Sequence, residues 1–437
     1  MARIAAWQVL RSGSPTPLRE VDAAARAHGL DERDRALLRR LVGTEVRRRG
    51  NLRAIAAHFV RGKSKPDLVA HLHLGLVQLL FLDRVPDHAA VSETCEAVSN
   101  TIGRAKTALV NGVLRNVIRA RCEGLSGDPR RDLIGRELHF AEPVFHDPEE
   151  HPLLWAEDAL SLPAPLMKRW TKRLGLERAR DLARSFLEEP PLSVRVVAGE
   201  REAVRAELGE ELLRAGAHPR ILLAPSGASV AVLGSAAFRE GRITVQGGAA
   251  LAAAELVEAR PGEELLDLCA APGGKTAVLA GAGARVLACD VDESKGGLLR
   301  AGLERLGVSD RVTFRASDGT AQVHEGGFDG VLVDAPCSNT GVLGARPAAR
   351  WRFGPASQSD LVALQGRLLR EGAEKVRPGG RLVWSTCSLE PEENERLVRA
   401  FLEERAGWTL EVERAHLPDR ERGPVDGGWA ARLRREG

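Results

Sequence analysis

From about Glu263 onward, short apolar runs alternate regularly with helical stretches, and few folds accommodate that alternation. Residues 265–269, 285–290, 312–315, 328–334 and 380–385 read as strands, with 293–306 and 359–376 among the intervening helices. These strands are continuous apolar runs, so both faces of their sheet must be covered. The pattern predicts a mostly parallel, doubly wound α/β sheet, in which ligands sit beyond the carboxyl ends of the strands.

The front of the chain has a different period. Leu109, Val110, Val113, Leu114, Val117 and Ile118 recur at i, i+1, i+4, i+5, which gathers them on one helical face. No strand-like alternation interrupts residues 1–125, which predicts an all-α helical bundle. Residues 68–82 are apolar nearly all round and should form its buried central helix, stopped by Pro86. Residues 124–152, rich in Gly, Pro and mixed charge, read as a connection with short helical pieces. Beyond them, β-branched runs at 192–197 and 242–246 flank a helical stretch at 201–215. The expected organisation is therefore a helical domain over 1–125, a linker plus small α/β subdomain over 126–240, and an α/β domain over 241–437. No repeat of 20 to 50 residues is present.

An apolar content of 43% with 28% charged residues excludes a disordered, collagenous or membrane-spanning chain. No stretch approaches 18 uncharged apolar residues, and the amino terminus carries Arg3 and Trp7 without an apolar core, so a cytoplasmic location is expected. The six cysteines form no Cys-x-x-Cys pair and the eleven histidines show no paired ligand spacing, so neither a disulfide framework nor a metal site is expected. Charge is unevenly spread. Residues 1–125 hold 21 Lys and Arg against 12 Asp and Glu, leaving 42 against 48 for the rest. Arg47, Arg48, Arg49, Arg61, Lys63 and Lys65 suit a phosphate-facing surface, with a solvated helix face as the equal alternative on charge alone.

The chemistry gathers at three strand ends. The first strand runs into Cys269, Ala270, Ala271, Pro272, Gly273, Gly274, Lys275 and Thr276, where the two glycines let the backbone approach a ligand closely. A nucleotide-like ligand is implied. Gly274-Lys275-Thr276 resembles the end of a phosphate-binding loop, but Cys269 stands where that loop needs glycine, and no Gly-x-Gly-x-x-Gly fingerprint occurs. Asp290 ends the second strand, where an acidic side chain accepts hydrogen bonds from ribose hydroxyls, and Asp318 follows the third, placed to receive an adenine amino group. A lone carboxylate at a strand end is more often a cap, but several at successive ends favour a bound nucleoside. The fourth strand delivers Asp334-Ala335-Pro336-Cys337-Ser338 and the fifth Ser385-Thr386-Cys387-Ser388, on the edge that carries the glycine-rich turn. Single cysteines are usually core residues. Here both lie beside turn residues at strand ends, which favours chemistry and lets the thiols meet in one site.

Leu-Cys-Ala-Ala-Pro-Gly-Gly-Lys-Thr, Asp-Ala-Pro-Cys-Ser-x-Thr-Gly and Ser-Thr-Cys-Ser-x-x-Pro-Glu-Glu-Asn-Glu together resemble the S-adenosylmethionine-dependent RNA cytosine C5 methyltransferases. The stretches from Leu82 to Val91 and from Val110 to Arg115 resemble the RNA-binding helical domain of NusB. The pairing resembles the bacterial RsmB (Sun/Fmu) type, which methylates small-subunit (16S) ribosomal RNA. The resemblance implies a NusB-like bundle followed by a Rossmann-like methyltransferase domain, with an RNA-binding subdomain between them. It also implies S-adenosyl-L-methionine as cofactor and RNA as partner, with no metal or membrane, in an enzyme expected to be monomeric. By the same carry-over Cys387 is the nucleophile that adds to C6 of the cytosine, Cys337 assists release, and Asp334 holds the base edge. Cys269 to Lys275, Asp290, Asp318 and Asp334 line the cofactor pocket. The chain departs from the pattern at Gly247, where relatives often carry an acid, and at Val196 or Val197, where they often carry asparagine. It also lacks part of the usual arginine and acidic pattern between Gly344 and Trp351. The alternatives are the same chemistry on transfer RNA, or a catalytically inactive RNA-binding or antitermination factor.

Overall fold

The computed structural model describes residues 1–60, 62, 65–317, 327–419 and 425–437; Asp318, Arg61 and Lys63 lie outside the described residues. The chain forms two compact units, Met1–Glu188 with Arg346–Gly354, and Glu189–Ala345 with Pro355–Gly437. Among the described residues no helix is long and apolar enough to cross a membrane.

The first unit begins with α1 (Ala2–Arg11), α2 (Pro17–Ala27), α3 (Glu32–Phe59), α4 (Pro66–Phe81), α5 (Asp87–Thr101) and α6 (Thr107–Ala120). Asp31 caps the long α3 by accepting from the Asp34 amide at 2.7 Å. Helix α4 buries residues on every side, among them Leu72, Leu74, Leu76, Val77 and Leu80, as its composition predicts. The stripe of α6 is partly as expected: Val110, Val113, Leu114 and Val117 are buried, while Leu109 is exposed.

The connection after α6 departs from the helical pieces expected. Strands β1 (Arg121–Glu123) and β2 (Leu138–Phe140) pair antiparallel. Between them Asp132 accepts from the amide and hydroxyl of Ser126, and Asp128 accepts from Arg130. Such local side-chain bonds compete with helix formation, which is why the segment turns instead of coiling. Helices α7 (Pro152–Ala159), α8 (Ala164–Leu174) and α9 (Leu176–Ser185) complete the unit.

The arginine run of α3 divides between surface and interior. Arg48 is buried, donates to the Ile134 carbonyl at 2.7 Å and stands over the Phe81 ring, and Arg49 donates to Glu45. Arg350 is also buried and gives its guanidinium to the carbonyls of Ser161 (3.1 Å) and Phe186 (2.9 Å), while Trp351 donates to the Val46 carbonyl. Arg48 and Arg350 thus hold backbone carbonyls, and Arg49 holds a buried carboxylate.

The second unit opens with β3 (Leu192–Val196), α10 (Arg201–Leu208), β4 (Arg214–Ala215), β5 (Ile221–Ala224), α11 (Ser229–Leu233), α12 (Ala236–Arg239) and β6 (Ile243–Val245). Its strands form an antiparallel sheet in the order β4-β5-β3-β6. The helix expected over 201–215 stops at Leu208, because Gly209 at φ 101° adopts a conformation that leaves the helix and lets β4 begin.

The larger sheet follows: α13 (Gly248–Glu255), β7 (Glu264–Leu268), α14 (Gly274–Gly281), β8 (Arg285–Asp290), α15 (Gly296–Arg305), β9 (Val312–Ala316), β10 (Phe328–Asp334), α16 (Pro355–Glu374), β11 (Val376–Thr386), α17 (Glu395–Glu404), β12 (Trp408–His416) and β13 (Gly428–Arg435). Among the described residues its order is β12-β13-β11-β10-β7-β8-β9, parallel from β11 to β9, with β12 and β13 antiparallel at one edge. Sequence periodicity passes over β12 because most of it is exposed and it carries no continuous apolar run; Arg432 and Arg434 on β13 pair with Glu411 across it. The sheet grows from β7 to β8 and β9 on one side and to β10 and β11 on the other. The order of strands thus reverses between β7 and β10, and the crevice over that point is where such sheets bind ligands.

A buried acid in α3 makes the first unit sensitive to pH. Burial alone would raise the Glu45 carboxyl, but hydrogen bonds from His73 (3.0 Å) and Arg49 (2.8 Å) outweigh it and hold the group down to about 2. A depressed acid stabilises the fold above its ordinary 4.5, and the contribution disappears as pH falls toward 2. It is worth roughly 3 kcal/mol. Hydrogen exchange in α3 between pH 6 and 3, corrected for intrinsic rates, is expected to show this loss in the natural chain. Glu45→Gln should exchange faster at pH 6 and respond less to acid.

Candidate active site

Strands β10 and β11 lie side by side and parallel, with Asp334 opposite Ser385. Cys337 follows Asp334 by three residues and Cys387 follows Ser385 by two, so the matched register brings both turns out at the same level. The two Sγ atoms stand 3.2 Å apart, and the Cys387 thiol also donates to Asn339 Oδ1 at 3.3 Å. Asn339 sits at φ 60°, a left-handed position that asparagine tolerates, and its amide donates to the Cys337 carbonyl at 2.6 Å. The hydrogen bond to Cys387, followed by burial, pushes the Cys337 thiol well above its usual range.

Glu393, fully buried in the Pro-Glu-Glu-Asn-Glu segment, ties these turns together. It accepts from the Ser338 amide (2.9 Å) and hydroxyl, from the Ser388 hydroxyl (2.8 Å) and from Gln365 (3.0 Å). Ser338 and Ser388 each follow one of the cysteines, so one carboxylate fixes both thiols through their neighbours. The sequence places Glu393 in the Pro-Glu-Glu-Asn-Glu motif but assigns it no role. A buried acid among serines gives a sequence no signal of its bonding; only the fold reveals it.

The glycine-rich turn leaves β7 at Cys269, whose φ is 64°, and passes into α14 at Gly273, φ 95°. A side chain at Gly273 would crowd Leu299, with Cγ 3.0 Å from the added carbon, so position and conformation both require glycine. Lys275, at the start of α14, forms an ion pair with Asp334 at 2.6 Å, and Ser385 donates to the other Asp334 oxygen at 3.2 Å. The turn, β10 and β11 thus share one constellation. Asp290 closes β8 and accepts from the Ala271 amide (3.2 Å), the Asp292 amide (3.0 Å) and Lys295 (3.0 Å). Ala270 is buried; Pro272 continues the turn.

Burial dominates the electrostatics beneath the turn. It pushes Asp267 up to about 7, with Asp334 and Asp290 adding to the effect and the Thr276 hydrogen bond opposing it. It also pushes the Cys269 thiol up to about 12, again with Asp334 adding. Asp267 Oδ1 and both polar atoms of the buried Gln246 have no hydrogen-bond partner. Gln246 lies against the turn, its Nε2 3.7 Å from where a side chain on Gly274 would begin. Unsatisfied buried groups beside a close-approach turn fit a polar ligand that completes them. Among the described residues no group of three or more His, Cys, Asp or Glu could hold a metal ion.

Comparison with known proteins identifies the family. The family described as 16S rRNA methyltransferase RsmB/F matches residues 254–423, and the NusB family matches residues 2–119. The fold is that of a Rossmann-like methyltransferase domain, which follows a NusB-type helical domain in the sequence. The ribosomal RNA small subunit methyltransferase B of Serratia proteamaculans is 32% identical over 92% of this chain and 91% of its own length. A probable counterpart from Bacillus subtilis is 29% identical over 91% and 86%. The solved structure of PH0851 superposes with a TM-score of 0.74 at 25% identity, covering 100% of this chain and 98% of that one. This chain belongs to the ribosomal RNA small subunit methyltransferase B family, whose members are S-adenosylmethionine-dependent 16S rRNA methyltransferases.

The Glu393 clamp makes a direct prediction for such an enzyme. Glu393→Ala releases both cysteine turns, and a displacement of about 1 Å at reacting groups can cost on the order of 10²-fold in rate. Methyl transfer is expected to fall by about that factor. Cofactor affinity measured by calorimetry should hold, because the glycine-rich turn is anchored separately.

Proposed function

We propose that this enzyme methylates C5 of a cytidine in 16S rRNA through a transient bond between Cys387 and C6 of the base. The observation that carries the reading is the 3.2 Å approach of two thiols at neighbouring strand ends, beside a turn with the chemistry of a nucleoside site. Cytosine C5 is a poor nucleophile. Addition of the Cys387 thiolate to C6 converts the ring to an enamine whose C5 is electron-rich. Bound S-adenosylmethionine supplies the electrophilic methyl group. Transfer of the C5 proton to water then sends the C–H electron pair into the C5–C6 bond, which expels the Cys387 sulfur as thiolate and restores the aromatic ring.

The assignment of roles follows from the thiol pair. Cys337, whose proton is held firmly, donates toward Cys387 and favours its thiolate, and it then assists the release step. Asp334, oriented by Lys275 and Ser385, holds the edge of the cytosine. An unstacked base is required, which suits single-stranded or flipped RNA.

For the cofactor, the residues from Cys269 to Lys275 form the close-approach turn, Asp290 serves the ribose, and Asp334 borders the methyl-bearing end. Gln246 and Asp267 supply further polar contacts. A carboxylate has about four acceptor sites, and Asp290 already receives three hydrogen bonds within the protein. The half-exposed Lys295 must therefore swing away for both ribose hydroxyls to be accepted. Asp318 completes the carried-over set as the adenine contact. The enzyme acts as a monomer in the cytoplasm, its basic helical domain positioning RNA through phosphates.

Incubation with labelled cofactor and undermodified 16S rRNA is expected to yield 5-methylcytidine in the nuclease digest. Product confined to transfer RNA would transfer the same chemistry to another substrate, and no product on either would refute the reading. A second expectation separates the thiols. Cys337→Ala should accumulate a protein–RNA adduct that survives denaturing electrophoresis, and Cys387→Ala should form none; the opposite pattern would exchange their roles.

A further inference from the structure

The matched ends of β10 and β11 hold two thiols in contact, and such a pair can do chemistry that neither thiol can do alone. The Sγ atoms of Cys337 and Cys387 stand 3.2 Å apart. A disulfide bond is about 2.0 Å long, so a movement of about 0.6 Å by each sulfur would join them. The turns are held at this approach from two sides. Asp334 and Ser385 pair across the strands, and Glu393 accepts from the Ser338 amide (2.9 Å) and the Ser388 hydroxyl (2.8 Å). Parting the thiols would require those bonds to break.

The two cysteines differ in access. Cys387 is partly exposed, whereas Cys337 is buried, so a small oxidant meets Cys387 first. The other cysteines of this unit are protected by their surroundings. Burial pushes the Cys269 thiol up to about 12 and the Cys289 thiol up to about 11, which keeps both in the slowly reacting protonated form. Cys95 and Cys122 belong to the first unit.

We propose that Cys337 and Cys387 form a reversible redox switch, joined as a disulfide by peroxide and reopened by thiols. The Cys387 thiolate attacks one oxygen of hydrogen peroxide. An S–O bond forms, the O–O bond breaks, and the departing hydroxide takes the proton that the thiol gave up, leaving a sulfenic acid and water. The Cys337 sulfur then attacks the Cys387 sulfur. The S–S bond forms, the S–O bond breaks, and the second hydroxide takes the Cys337 proton as water. Two thiols and one peroxide thus give one disulfide and two waters, with sulfur oxidised and peroxide oxygen reduced. A sulfenic acid without a neighbouring thiol goes on to the sulfinic acid, which thiols do not reverse. Cys337 intercepts it at the recoverable stage. A bridged Cys387 cannot add to a pyrimidine, so methyl transfer stops while the bond lasts. That consequence rests on the role proposed for Cys387 above, whereas formation of the bond rests on the thiol contact alone.

The test treats the full-length protein with hydrogen peroxide, alkylates the thiols that remain and maps the digest by mass spectrometry. The peptides carrying Cys337 and Cys387 are expected to appear joined and lighter by two hydrogens, and to separate on addition of dithiothreitol. Methyl transfer to undermodified 16S rRNA should fall in proportion to the bridged fraction and return with the reductant. Unchanged S-adenosylmethionine affinity, measured by calorimetry, reports that the oxidised protein stays folded. In Cys337→Ser the same treatment should carry Cys387 to a form with two or three added oxygens that dithiothreitol does not recover, a result read by mass alone. Cys337 and Cys387 left unjoined at every peroxide dose, or Cys387 carrying those oxygens in the natural chain, overturns the switch. A bridge that forms while methyl transfer continues overturns it too, and then the fault lies with the role of Cys387 and not with the thiol contact.

Discussion

The parallel register of β10 against β11 is the constraint on which the candidate site depends. Asp334 opposite Ser385 sets the level at which both strands end, and each then turns within three residues. A slip of one residue would move every side chain of one strand to the other face and separate the thiols. Buried Glu393 reinforces the register from beyond the sheet, because its two oxygens accept from groups on both turns. Its bonds are charge-assisted and therefore among the stronger ones available to neutral donors.

Burial separates the cysteines of the catalytic unit by chemistry. Cys289 is raised to about 11 and Cys269 to about 12, both mainly by removal from water, so neither is an available nucleophile near neutral pH. Cys337 is raised first by its hydrogen bond to Cys387 and second by burial. That difference in cause matters, because a thiol held up by a neighbouring sulfur stabilises negative charge on that sulfur. The same low-polarity setting raises Asp267 beneath the turn, where Asp290 and Asp334 crowd it. Lys275 offsets part of this concentration of acids through its ion pair with Asp334.

Arginine serves three purposes that composition cannot distinguish. Arg48 and Arg350 hold main-chain carbonyls inside the first unit, Arg49 neutralises buried Glu45, and Arg195 is buried with two of its nitrogens unpartnered. A run such as Arg47 to Arg49 on a helix spreads over about 200° of its circumference, at about 100° per residue, so its members cannot all face one phosphate surface. The basic excess of the front of the chain remains, but only part of it is available to RNA.

Local pattern alone carried much of this protein. The helical bundle, its apolar α4, the alternation of strand and helix beyond Glu263 and the placement of glycines, acids and cysteines at strand ends all follow from period and turn chemistry, which act over a few residues. The exposed β12 and the hairpin of β1 and β2 escaped that reading, because pairing partners rather than apolar runs define them. The 3.2 Å thiol contact, the four-way role of Glu393, the inward turn of Arg350 and the unpartnered nitrogens of Arg195 were decided by the tertiary structure. Each depends on groups distant in sequence, and hydrogen bonding and burial are properties of what surrounds a side chain, which no short stretch of sequence encodes by itself.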